Sequence, residues 1–185
     1  MPLGNRSGRS GQARPLNDDV ERPASGTADD CYQTALNLLG YRARTESEIR
    51  QRLARKGFGE PEIETAVNRL KASGLIDDAA FARTWSENRA AGSPRSAFII
   101  KRELKIKGVD SDTADEAVST VDDSEAAFRA AQPRLKRLQS LPPEEGRRKL
   151  ADFLRRRGFN WNTIERTLER LKAEGLFGNL ESENQ

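Results

Sequence analysis

The 185-residue sequence contains no histidine and only one cysteine, Cys31. The absence of histidine excludes His-based catalytic triads, His-ligated zinc sites and a histidine pH switch. A single cysteine cannot form an internal disulfide, which is typical of proteins of the reducing cytoplasm. No apolar run approaches the roughly 20 residues that span a bilayer, and no apolar core of a signal peptide follows Met1. We therefore expect a cytoplasmic protein with no membrane partner.

Aromatic residues are also scarce, at 6% of the chain, whereas 33% of the residues are charged. This composition favours several small hydrophobic cores over one wide core. The formal net charge is only +3, so the distribution of charge must indicate any anionic partner. The sequence has no glycine-rich phosphate loop and no convergent cluster of acidic residues. We expect no enzymatic activity, no catalytic residue, no metal site and no cofactor.

The sequence repeats itself with a period of about 50 residues. A basic residue, a glycine and an apolar residue occur together three times, with the glycines at Gly57, Gly108 and Gly158. Apolar residues lie four and eight positions before each glycine, at Leu53, Leu104 and Leu154 and at Ile49, Ile100 and Leu150. Such spacings are helical, and no segment has the pattern of a strand. The sequence predicts an all-α fold, an elongated and curved tandem array of three three-helix repeats.

The predicted repeats occupy residues 29–75, 76–122 and 123–177. Residues 1–28 are rich in glycine, proline and serine, which predicts a disordered tail that is either inert or a weak nucleic-acid-binding arm. Residues 178–185 are expected to form a frayed polar end.

Helix ends are predicted by local signals. Thr45 and Glu48 have the spacing of a capping box at the start of the first middle helix. Gly57 is expected to end that helix in a left-handed conformation, and Gly108 and Gly158 are expected to end the other two middle helices in the same way. Asp77-Asp78 is a typical N-cap signal. Trp85 and Trp161 are interpreted as packing residues.

Basic residues concentrate in the middle helix of each repeat, whereas residues 109–123 contain six acidic residues and no basic one. On a helical wheel, Arg148 and Arg155 lie opposite Leu150 and Leu154. This pattern indicates either solvated helix faces or a continuous positive track that binds phosphate or an acidic protein surface. The candidate binding residues are Arg50, Arg52, Arg55, Arg95, Lys101, Lys105, Arg148, Lys149, Arg155 and Arg156. No aromatic residues alternate with these cations to stack on bases, so sequence-specific reading of bases is not expected.

The middle helix of the second repeat is unusually apolar, with Phe98, Ile99, Ile100, Leu104 and Ile106. Two interpretations are open. The helix is either packed by neighbouring repeats on both flanks, as in a solenoid, or it docks a partner.

Residues 74–109 contain a specific set of motifs: Gly74-Leu75-Ile76-Asp77-Asp78, Phe81-Ala82, Trp85, Arg89, Gly92, Glu103-Leu104 and Lys107-Gly108-Val109. This set resembles the signature of the RecX family, the bacterial regulators of the RecA recombinase, and the resemblance extends over residues 30–176. It implies tandem three-helix repeats and binding to RecA filaments on DNA, with inhibition of the ATPase, strand-exchange and co-protease activities of RecA. It therefore also implies a role in homologous recombination, DNA repair and the SOS response.

The partners expected from this resemblance are the RecA filament and a single- or double-stranded DNA backbone, for a protein expected to be a monomer. One alternative is a stand-alone DNA-binding helical protein that uses its basic middle helices, since such units resemble helix-turn-helix modules. A third interpretation is a helical adaptor for another protein. The RecX interpretation requires dependence on RecA, whereas a stand-alone protein must bind bare duplex DNA.

Overall fold

The computed structural model describes residues 26–177. These residues form nine α-helices and no strand. In chain order the helices are α1 (Ala28–Tyr41), α2 (Glu46–Arg55), α3 (Glu60–Ala72), α4 (Asp78–Gly92), α5 (Ala97–Ile106), α6 (Ser111–Val118), α7 (Asp123–Leu138), α8 (Pro143–Arg156) and α9 (Trp161–Ala173). No helix within residues 26–177 is long and apolar enough to cross a membrane.

The nine helices form three consecutive three-helix repeats, α1–α3, α4–α6 and α7–α9, so the predicted fold class is confirmed. The elongation and curvature of the array and the repeat boundaries stay predictions. The tails predicted for residues 1–28 and 178–185 lie outside the described residues, except for residues 26–28.

Each repeat has its own hydrophobic core, built around its middle helix. The predicted apolar positions of the three middle helices are all fully buried: Ile49, Leu53, Ile100, Leu104, Leu150 and Leu154. They belong to three separate clusters of buried residues, one in each repeat. Separate small cores are what the low aromatic content favours.

Glycine ends each middle helix in the left-handed conformation, as predicted. The φ angles of Gly57, Gly108 and Gly158 are 87°, 83° and 87°. A side chain at such a φ angle crowds the following carbonyl oxygen, so glycine is the residue that turns the chain here without strain.

The predicted capping box at Thr45 is only half formed. The Thr45 hydroxyl accepts the hydrogen bond of the Glu48 backbone N–H, at 3.1 Å. The Glu48 carboxylate binds Arg42 and Lys107 instead of the backbone of Thr45, because charge-assisted hydrogen bonds are stronger than those of a neutral N–H.

The first two repeats meet where α2 begins and α5 ends. The Thr45 hydroxyl donates a 2.5 Å hydrogen bond to the carbonyl oxygen of Lys107. Gly108 lies so close to α2 that an added Cβ would collide with the side chain of Ser47. We call this contact the repeat 1–2 joint.

The same arrangement recurs where α5 begins and α8 ends. The Ser96 backbone N–H donates a 3.1 Å hydrogen bond to the carbonyl oxygen of Arg157. A Cβ at Gly158 would collide with Ile99. At this repeat 2–3 joint, as at the first, the middle helices meet end to end, so α8, α5 and α2 follow one another in space.

An aspartate from the following repeat caps the middle helix at each joint. Asp78 accepts a hydrogen bond from the Glu46 backbone N–H at 2.9 Å, and Asp123 accepts one from the Ala97 N–H at 2.7 Å. Burial raises the pKa of both carboxyl groups. Of the predicted N-cap pair, Asp77 caps α4 through the N–H of Ala80, whereas Asp78 serves the neighbouring repeat.

Candidate functional site

The ten candidate cations fall into two groups. Five form ion pairs with carboxylates of the chain: Arg50, Arg95, Lys101, Lys149 and Arg155. Five are exposed and have no ionic partner among residues 26–177: Arg52, Arg55, Lys105, Arg148 and Arg156. The second group is therefore available to pair with an external anion.

Arg50 is the most fully occupied of the paired cations. Its guanidinium donates to Glu46 at 2.8 Å, to Glu60 at 3.2 Å and to Glu64 at 2.5 Å. The hydrogen bonds that it donates to Glu46 and Glu64 raise the pKa of Arg50. These bonds tie α2 to α3, which gives Arg50 a role within the first repeat.

Arg95 belongs to a polar cluster around Glu103. The Glu103 carboxylate accepts hydrogen bonds from Arg95 at 2.7 Å, from Arg89 at 2.7 Å and from the Trp85 indole at 3.0 Å. Lys107 Nζ lies 4.3 Å from the Trp85 ring centroid, on which Arg89 also packs. The motif residues of the central repeat therefore build its interior and the repeat 1–2 joint.

A cavity of about 460 Å³ lies between α7 and α8. It is lined by Arg134, Arg137, Leu138, Ser140, Leu141, Lys149, Asp152, Phe153 and Arg156. Among these residues Asp152 is the only acid, and its carboxylate binds Arg155 at 3.0 Å. The cavity therefore presents positive charge from two helices to any ligand that enters it. We call it the α7–α8 cavity.

Positive charge continues from this cavity to the repeat 2–3 joint. Arg134 and Arg157 lie over the Phe153 ring, with their guanidinium carbons 4.6 and 4.8 Å from its centroid. Burial lowers the pKa of Arg157, and the charges of Arg95 and Arg134 lower it further. Arg157 therefore lies within electrostatic reach of two other cations.

Arg134 and Arg137 are functional candidates that the sequence reasoning missed, because it considered only the middle helices. They lie on α7, the first helix of its repeat. The high basic content of residues 134–157 was a signal for them. Only the packing of α7 against α8 shows that they share a cavity with Lys149 and Arg156.

The apolar residues of α5 have different environments. Ile100 and Leu104 are fully buried, and Ile99 meets the Gly158 turn of the next repeat. Phe98 and Ile106 are exposed. Packing by neighbours therefore explains part of the apolar character of this helix.

The two tryptophans also differ. Trp85 is partly buried and packs on Phe81, with 5.8 Å between the ring centroids. Trp161 is the first residue of α9 and is 65% exposed. The interpretation of Trp161 as a packing residue is wrong, because most of its side chain is exposed.

No group of three or more potential metal ligands occurs within residues 26–177. Cys31 is buried, and this burial raises the pKa of its thiol, an effect that the charge of Glu62 increases. A thiol in such an environment is mainly protonated and therefore a weak nucleophile.

Three small helical cores joined end to end, with a cationic cavity in the last, define a tandem helical-repeat protein with a basic surface. Family models of the first, second and third three-helix domains of RecX match residues 31–70, 77–118 and 122–168. The chain belongs to the RecX family of regulatory proteins.

Named relatives and solved structures agree with this assignment. The chain is 34% identical over 151 residues to the regulatory protein RecX of Chlorobaculum tepidum, covering 80% of this chain and 92% of that protein. It is 37% identical over 145 residues to that of Mycobacterium avium, covering 75% and 83%. The crystal structure of RecX from Lactobacillus salivarius matches with a TM-score of 0.70 at 25% identity, covering 79% of this chain and 97% of that chain.

Proposed function

We propose that this protein is a non-enzymatic regulator that binds RecA filaments on DNA. In this role it modulates, mainly by inhibition, the ATPase, strand-exchange and co-protease activities of RecA and thereby regulates DNA repair. The observation that carries the proposal is the match of all three repeats, in order, to the three domains of RecX. The protein acts as a monomer in the cytoplasm, where RecA assembles on DNA.

The exposed cations support an anionic binding partner. Arg148 and Arg156 on α8, Lys105 on α5 and Arg52 and Arg55 on α2 have no ionic partner among the described residues. Since α8, α5 and α2 follow one another end to end, these charges are distributed along one succession of helices. On binding, such a track would displace the counterions of a DNA backbone or pair with the carboxylates of an acidic filament surface.

The α7–α8 cavity supports binding of phosphate at one end of this succession. Arg137 and Arg156 approach it from opposite helices, and neither has a carboxylate partner in the described part of the chain. Guanidinium groups bind phosphate oxygens through two parallel hydrogen bonds. We assign this cavity as a backbone phosphate site that positions the protein without reading sequence.

ATP hydrolysis by RecA on single-stranded DNA, measured with and without this protein, tests the proposal. We expect a concentration-dependent decrease in the rate, and no hydrolysis by this protein alone. A parallel measurement of binding to bare duplex DNA separates the proposal from a stand-alone DNA-binding function. Unchanged RecA activity together with tight duplex binding would contradict the proposal and favour the stand-alone function.

A further inference from the structure

The exposed side of α5 has two large apolar side chains that the described part of the chain leaves uncovered. Phe98 is 68% exposed and Ile106 is 76% exposed. Arg102 and Lys105 are also exposed, and positions 98, 102, 105 and 106 have the spacing of one helical side. We call these four residues the α5 face.

Phe98 and Ile106 are not part of the hydrophobic core of the second repeat. Ile100 and Leu104 already supply the core contacts of α5, and Ile99 supplies its contact with the next repeat. The residues that correspond to Phe98 and Ile106 in the repeat register are Ser47 and Arg55 in α2, and Arg148 and Arg156 in α8. The other two middle helices therefore occupy the same place in the fold with polar residues at both positions.

The charge of the α5 face indicates the chemistry of what covers it. Arg102 and Lys105 have no carboxylate partner within residues 26–177. The acidic helix α6 is engaged elsewhere on α5, where Lys101 pairs with Asp115. A partner that buries Phe98 and Ile106 must therefore supply its own carboxylates to the two cations, since unpaired buried charge is costly.

We propose that the α5 face docks into a groove of a protein partner with an apolar floor and an acidic rim. Phe98 and Ile106 are the anchors, about 12 Å apart along the helix at the standard rise per residue, in the manner of a helix recognised by its i, i+4 and i+8 side chains. The inference rests on the proposed function, in which the partner is a protomer of the RecA filament. A nucleic acid fits less well, because the aliphatic Ile106 neither stacks on bases nor bonds to phosphate.

The test compares the full-length protein with a Phe98→Gln/Ile106→Gln double variant. Binding is measured by interferometry to RecA assembled on poly(dT) with a slowly hydrolysed ATP analogue, and to poly(dT) alone. Loss of two central anchors is expected to weaken filament binding about tenfold or more, with unchanged DNA binding. Glutamine is a good helix former and both sites are exposed, so the circular dichroism spectrum and the urea midpoint should be retained.

A matched control is the Leu75→Gln/Leu176→Gln double variant. Its two leucines are exposed and lie on the turns after α3 and α9, outside the middle helices. This variant should bind the filament like the wild-type protein. A further variant, Arg102→Gln/Lys105→Gln, should weaken filament binding and make its salt dependence shallower, because the acidic rim loses its partners.

Three results would overturn the inference. The first is filament binding by the Phe98/Ile106 variant that equals that of the wild type. The second is a parallel loss of poly(dT) binding, which would make DNA the occupant. The third is self-association of the wild type that this variant abolishes while filament binding persists, which would make the occupant a second copy. Failure of the wild type itself to bind the filament would instead refute the proposed function, and the inference with it.

Discussion

The Glu48 carboxylate of the first repeat binds the Lys107 ammonium of the second repeat, with 3.0 Å between Oε1 and Nζ. Both side chains are more than four-fifths buried, at 19% and 18% exposure. Lys107 Nζ also lies 4.3 Å from the ring centroid of Trp85. The joint between these repeats thus contains an ion pair that solvent screens less than an ordinary surface pair.

A Glu48→Gln variant tests the contribution of this pair to stability. Burial alone would raise the pKa of the Glu48 carboxyl, but the hydrogen bonds and charges of Arg42 and Lys107 outweigh it and hold the pKa below its usual value. Because the pKa of Glu48 is lower in the folded state, its stabilisation is present at pH values above its unfolded-state pKa of about 4.3. The stabilisation is lost as the pH falls through the folded-state pKa.

We therefore expect the Glu48→Gln variant to be less stable than the wild type by about 1 kcal/mol at neutral pH. The difference should shrink as the pH falls below the unfolded pKa of about 4.3 and through the lower folded pKa, because the wild-type carboxyl then becomes protonated. Urea melts at neutral and acid pH measure both quantities. Glu87→Gln, at an exposed glutamate of α4 without an ionic partner in the described residues, is the control. A difference that does not change with pH would show that the charge of Glu48 is not what stabilises the joint.

An Asp78→Asn variant is expected to have the opposite pH dependence. Burial raises the pKa of Asp78, so its contribution to stability is present below the unfolded value of about 3.9 and is lost as the pH rises through the folded value. Asparagine keeps an oxygen for the Glu46 N–H but has no charge. The stability of the variant relative to the wild type should therefore increase from pH 3 to neutral pH, as measured by urea melts. A relative stability that stays constant or falls over this range would contradict the assignment.

Replacing Gly108 by alanine should be more destabilising than replacing Gly74 by alanine. Both glycines have positive φ angles, 83° and 66°, so each replacement costs about 1–2 kcal/mol of backbone strain. A Cβ at Gly74 meets nothing within 4 Å, whereas a Cβ at Gly108 collides with Ser47 across the joint. Chemical denaturation should show a further loss of at least about 1 kcal/mol at Gly108. Equal losses of stability in the two variants would contradict a close contact between Gly108 and Ser47 at the repeat 1–2 joint.

The exposed cations of α8 should not contribute equally to filament binding. Arg148 and Arg156 lack ionic partners in residues 26–177, whereas Lys149 and Arg155 bind Glu145 and Asp152. The Arg148→Gln/Arg156→Gln variant should weaken binding more than the Lys149→Gln/Arg155→Gln variant. If both arginines contact phosphate, the negative slope of log K for filament binding against log salt concentration should become shallower by about 2.

The control for this prediction is the Arg83→Gln/Arg166→Gln variant, which removes two exposed cations without ionic partners in the described residues, on α4 and α9. It lowers the net charge equally, but its residues lie outside the middle helices. An unchanged slope for the Arg148/Arg156 variant, or the same decrease for the control, would show that position along α8 does not matter.

The sequence by itself determined the repeat architecture and the buried side of each middle helix. Gly108 and Gly158 end their helices as predicted, and Leu104 and Leu154 are buried as predicted. These features depend on interactions within a few residues: the helical period decides which side faces the core, and glycine alone turns left-handed without strain. The three-helix repeats could therefore be read without a structure.

Only the tertiary structure decided what covers the other sides of these helices. The bond from Thr45 to Lys107 spans 62 positions, and that from Arg50 to Glu64 spans 14. Distant segments of the chain decide whether a cation has an ionic partner. They also decide whether an apolar residue such as Phe98 is covered or exposed. The helical period fixes the direction of a side chain about its own helix but not its neighbour in space. The repeats were local properties of the sequence, whereas the joints, the α7–α8 cavity and the α5 face came from the packing of whole helices.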